Sequence, residues 1–158
     1  MKTGFIIFIL FQVLSVKAQQ TLELSLQLGS TYNDHSEKKF SIAERKWILS
    51  NNTLIYYVDA HDMRYSDTLA VTEATVNTIM DFIRNKGLTK NIDLRFSGQY
   101  SQKFEYNEFI KGCLKKDGSD YKWNVYCDAL GGSENDSDVK KLKELEQLFY
   151  KMVENKKP

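Results

Sequence analysis

Two cysteines, two histidines and a short run of acids are the residues of this chain whose types and spacing could do chemistry. Cys113 and Cys127 are the only cysteines. Their separation does not suit zinc, because no C-x-x-C is present and His35 and His61 are distant in sequence. A redox pair would sit closer together, at a helix start. In an oxidising compartment the simplest role is a disulfide clamp, which at this loop length stabilises by about 3 kcal/mol in the chain-entropy view. The clamp needs a wide loop, about Gly118 to Lys122, or a register-shifting bulge at Gly112. With Asp117-Gly118 as a two-residue tip, Cys113 would face Lys122 and Cys127 would face Glu108, too far apart to bond. The clamp with the wider loop is the expectation, and a reduced, buried pair is the alternative.

His61 lies between Asp59 and Asp62, and His35 beside Asp34. Two histidines and an aspartate could hold a metal, but three ligands would have to converge, and solvated loop histidines are the ordinary reading. Glu134, Asp136 and Asp138 alternate as calcium ligands can. Acids also gather at helix N-termini as caps and dipole partners, which accounts for them without a metal. The chain lacks G-x-S-x-G, H-E-x-x-H, a phosphate-binding glycine loop and an EF-hand. No catalytic residue, metal or cofactor is therefore assigned.

Aromatic and aliphatic residues remain as candidate contacts. Tyr57 shares a strand face with Ile48 and Ile55, and Tyr121, Trp123 and Tyr126 surround the cysteine loop. Tyrosine and tryptophan combine rigid area with a polar tip and are enriched at interfaces.

The elements that must position these residues follow from periodicity. Leu22, Leu24, Leu26 and Leu28 alternate with polar residues, as in a half-buried strand, and the polar run 31–39 reads as a loop. Asn51-Asn52 punctuates two apolar runs as a hairpin tip. The register that buries one coherent face opposes Leu49 to Leu54, Trp47 to Tyr56 and Arg45 to Val58. Thr72 caps a helix whose Val76, Ile79, Met80 and Ile83 form one face, with Gly87 ending it. Ile92, Leu94 and Phe96 mark a strand. Residues 104–110 and 121–127 form a second hairpin. A final helix carries Val139, Leu142, Leu145 and Phe149, with Asp136 or Ser137 as cap. The fold class is α+β: an antiparallel sheet of about six strands with two amphipathic helices on one face. The order also raises the reading of two related strand–hairpin–helix halves.

Residues 1–18 have a lysine, a short apolar run and a small-residue Val16-Lys17-Ala18 site, the layout of a signal peptide. Residues 19–158 are expected to form a single α+β domain. Removing 1–18 takes away two lysines and no acid, so the formal charge of +1 becomes −1. Near-neutral charge argues against nucleic acid, and no remaining stretch would span a membrane. The expected function is that of a secreted or periplasmic non-catalytic binding protein holding another protein, as an inhibitor or immunity-type factor does. A small-ligand or glycan binder and a small carboxylate-dependent hydrolase are the alternatives.

Overall fold

The computed structural model describes residues 22–60, 63–98, 104–128 and 132–154. The leader-like positions 1–18 and His61 therefore lie outside the described residues. Among these residues one sheet is formed by seven strands: β1 (Glu23–Asp34), β2 (Lys39–Ser50), β3 (Thr53–Ala60), β4 (Met63–Ala70), β5 (Ile92–Phe96), β6 (Phe104–Lys116) and β7 (Ser119–Asp128). Helix α1 (Glu73–Asn85) separates β4 from β5 in sequence, and α2 (Ser137–Glu154) follows β7. The strand order is β4-β3-β2-β1-β6-β7-β5.

The α+β class holds, but the sheet is mixed and larger than six antiparallel strands, because β4 is added and β5 runs parallel to β7. β4 is an edge strand with seven of its eight residues exposed, so it carries no apolar alternation. β5 is fixed beside β7 by the loop that precedes it. Trp123 Nε1 donates to the Leu88 and Lys90 carbonyls at 3.1 and 3.2 Å, and the Lys122 N–H donates to Asn91 Oδ1 at 2.9 Å. The two halves therefore differ in topology: β1 pairs antiparallel with the first strand of its hairpin, and β5 pairs parallel with the second strand of its own.

The β2–β3 register is the one that buries a coherent face, with Leu49 opposite Leu54, Trp47 opposite Tyr56 and Arg45 opposite Val58. Both helices pack on that face. Leu24, Leu26, Trp47 and Leu49 from the sheet join Ile79 and Ile83 of α1 and Leu142, Leu145 and Phe149 of α2 in one core. Thr72 caps α1 by accepting from the Thr75 N–H at 3.2 Å. Gly87 ends it with φ +67°, and the Leu88 N–H reaches back to the Ile83 carbonyl. This is the αL termination that glycine permits. Asp136 caps α2 by accepting from the N–H groups of Asp138 and Val139.

The β1–β2 connection is shorter than the polar run suggests, since only residues 35–38 form the turn. Asp34 Oδ1 organises that turn by accepting from Ser36 and Glu37.

Candidate functional site

β1 and β2 each run for 12 residues, and along them the residue types on the helix-bearing face change abruptly. One row across the sheet consists of Val125, Ile110, Leu28, Arg45 and Val58. The next row on the same face consists of Cys127, Glu108, Ser30, Ala43 and Ala60. Leu28 gives way to Ser30, Arg45 to Ala43 and Val58 to Ala60. Side chains two apart on a strand share a face, so this step removes volume without altering the pleat. The result is a cleft of about 640 Å³ between these rows and the flank of α2 that bears Val139, Lys143, Glu146 and Tyr150. Its lining extends from β7 to β3, four strand spacings or about 19 Å.

The most constrained charge in the cleft is Glu146. It falls within the apolar stripe of α2, and its side chain is only 4% exposed. Arg45 Nε donates to Glu146 Oε1 at 2.9 Å, while the arginine side chain is 46% exposed. A carboxylate removed from water needs such a partner. The Arg45 guanidinium also lies 5.9 Å from the ring centre of Tyr150. Tyr150 in turn packs edge-on to Trp47, which stacks on Tyr56 at 4.0 Å between ring centres. Burial pushes the Tyr150 hydroxyl pKa up, and the Tyr56 hydroxyl 3.4 Å away adds to the rise. Tyr150 is thus a neutral phenol at physiological pH. On the β6 side, Tyr106 donates to Glu108 Oε1 at 3.2 Å, and burial, foremost, raises its pKa. The arrangement offers an apolar floor with hydroxyl, carboxylate and cationic groups around it, the usual constitution of a small-molecule site.

The residues singled out from sequence are not brought together. Trp123 is 1% exposed and belongs to the core, lying over Gly112, where a Cβ would come within 2.5 Å of its ring. Tyr121 is partly buried against the same core. Ile48, Ile55 and Tyr57 occupy the opposite sheet face on β2 and β3. Tyr126 is on that face too, but on β7, three strand spacings from β2 and four from β3, about 14 and 19 Å. There the Arg95 guanidinium lies 5.4 Å from its ring centre.

The cysteine hairpin closes through Asp117-Gly118 rather than through a wider loop. Both residues have positive φ, +52° and +78°, as a tight two-residue turn requires. Cys113 then faces Lys122, and Cys127 faces Glu108. Five positions apart along a strand, about 17 Å, they cannot bond in this register, and both are free thiols.

Four of the polar candidates have local partners, while His61 and Asp62 lie outside the described residues. His35 lies 3.4 Å from Glu105, Asp59 is held by Arg64 and Tyr57, Asp136 caps α2, and Asp138 pairs with Lys90 and Lys141. Among the described residues, no three His, Cys, Asp or Glu side chains are grouped to hold a metal. Also among them, no helix is long and apolar enough to cross a membrane.

Sequence reasoning passed over Arg45, Glu146, Glu108, Ser30 and Ala43. A readable signal existed for the first two. Glu146 lies between Leu145 and Phe149 on a stripe otherwise apolar, and Arg45 shares the buried hairpin face with Trp47. A carboxylate and a guanidinium in two buried faces call for each other. No family model and no curated protein matches the chain.

Proposed function

We propose that this chain is a secreted or periplasmic binding protein that holds a small amphipathic molecule in the cleft between α2 and the sheet. The observation that carries this reading is the step from Leu28, Arg45 and Val58 to Ser30, Ala43 and Ala60 on one face. It opens about 640 Å³ beside a charged helix flank, within the size range of ligand sites. The extracytoplasmic setting rests on the leader-like residues 1–18.

The test is titration with the neutral fluorescent probe Nile red. Wild type should bind it with a blue-shifted, saturable signal, and the double variant Ser30→Leu/Ala43→Leu, which fills the hollow, should not. Equal binding by a folded double variant would remove the cleft as the site.

A second reading, capture of a protein partner, draws on the opposite sheet face. There Ile55 is 38% exposed, and Phe40 and Ile42 of β2 are 62% and 44% exposed. This keeps Ile48, Ile55 and Tyr57 as its contact residues. Loss of capture of a partner in Ile55→Asp, with Nile red binding retained, would favour it.

A further inference from the structure

The charged groups in the cleft are unequally satisfied, and this bears on the ligand; the inference rests on the cleft being a binding site. Each carboxylate lining it already accepts from a protein donor. Glu146 accepts from Arg45 at 2.9 Å and Glu108 from Tyr106 at 3.2 Å. The cations are left with donors to spare. Arg45 engages Glu146 through Nε, and a guanidinium carries five N–H groups. Lys143 has no hydrogen-bond or ion-pair partner among the described residues. It precedes Glu146 by three positions, so the two are neighbours on the helix surface, and both line the cleft.

We infer that the cleft takes an alkyl carboxylate. The chain lies along the floor of Leu28, Val58, Ile110 and Val125, and the carboxylate sits between the outer nitrogens of Arg45 and the ammonium of Lys143. Charge balance favours a monoanion. The balance is local to the α2 side of the cleft: there Glu146 neutralises Arg45 and Lys143 is the cation left to match, while Glu108 stands on β6, two strands from Arg45, so a doubly charged phosphate would overshoot it. A cationic head would meet two like charges at the same place.

The experiment compares decanoate, 1-decanol and decyltrimethylammonium by calorimetry below their aggregation limits. Decanoate should bind about tenfold more tightly than decanol, the scale of one charge-assisted hydrogen bond, and the cation more weakly than either. Lys143→Gln, which breaks no internal pair, should cost decanoate about fivefold and leave decanol unchanged. Arg45→Gln/Glu146→Gln, which removes both charges together and avoids an orphaned buried carboxylate, should also erase the preference. If decanol or the cation binds as tightly as decanoate, and Ser30→Leu/Ala43→Leu abolishes all binding, the cleft stands and the carboxylate assignment falls. That assignment falls equally if both charge variants keep the preference. If no probe binds, or if binding survives in Ser30→Leu/Ala43→Leu, the cleft reading itself falls.

Discussion

The two halves of β1 lie on the same pleat of the same sheet and do different work. In the first half Leu24, Leu26 and Leu28 point into the core and are 1%, 0% and 6% exposed. In the second half the same face carries Ser30, Tyr32 and Asp34, all partly exposed. The backbone pairing is uninterrupted, with β2 and β6 flanking β1 to its end. Strand formation therefore does not depend on helix coverage here. What changes is whether the side chains meet a helix or a hollow, so buried apolar contact is concentrated in the covered half, not the projecting half.

The largest expected effect breaks the covered half. Trp47→Ala removes a fully buried ring stacked on Tyr56 and Phe149, and it should cost about 3–5 kcal/mol in urea unfolding. Tyr32→Ala, in the projecting half, should cost less than about 1 kcal/mol. Equal losses would show that the two halves share the load.

The border between the halves is held by Arg45 and Glu146, and the pair should respond asymmetrically. Arg45→Ala strands a buried carboxylate and should cost about 3 kcal/mol. Glu146→Ala leaves a half-exposed guanidinium that water can reach, and should cost about 1 kcal/mol. The reverse order would mean that the carboxylate is solvated.

Asp138 ties the start of α2 to Lys90 in the loop before β5. Hydrogen bonding from Lys90 holds its pKa below the ordinary carboxylate value, with burial opposing and Lys141 adding to the depression. A depressed folded pKa means that the unfolded chain takes up the proton first as pH falls. This contribution is present above about pH 4 and is lost as pH drops through the lower, folded value. Asp138→Asn should cost about 1 kcal/mol at neutral pH, discounted for the exposed lysines, and should flatten the acid limb of the stability curve. An unchanged acid limb would separate this pair from stability.

The smallest effect is chemical. Cys127 is 3% exposed and lines the cleft. Cys113 is partly exposed, and its thiol pKa is raised by burial and by its hydrogen bond to Asp120. Iodoacetamide should label Cys113 slowly in the folded protein and Cys127 only after denaturation. A Cys113–Cys127 crosslink in non-reduced peptides would contradict the β6–β7 register.

The covered half is legible in the sequence because burial writes itself into periodicity. The alternating leucines, the Asn51-Asn52 tip, Thr72 and Gly87 all correspond to the elements found. The projecting half is not, since a strand without a helix above it carries no apolar alternation. The segment 31–34 consequently reads as loop, and β4 leaves no pattern. The cysteine bridge fails because the turn preference of Asp117-Gly118 sets the register, and compartment chemistry cannot override it. Trp123 has the look of a contact residue because its partner in packing, Gly112, is conspicuous only once the two strands are aligned.

Methyl NMR of the protein titrated with decanoate tests the central claim most directly, because the two sheet faces carry different methyl groups. Binding in the cleft predicts saturable shifts at Leu28, Val58, Ile110 and Val125, with Ile48 and Ile55 unmoved. Shifts at Ile48 and Ile55 with the cleft methyls silent would contradict it and place recognition on the opposite face.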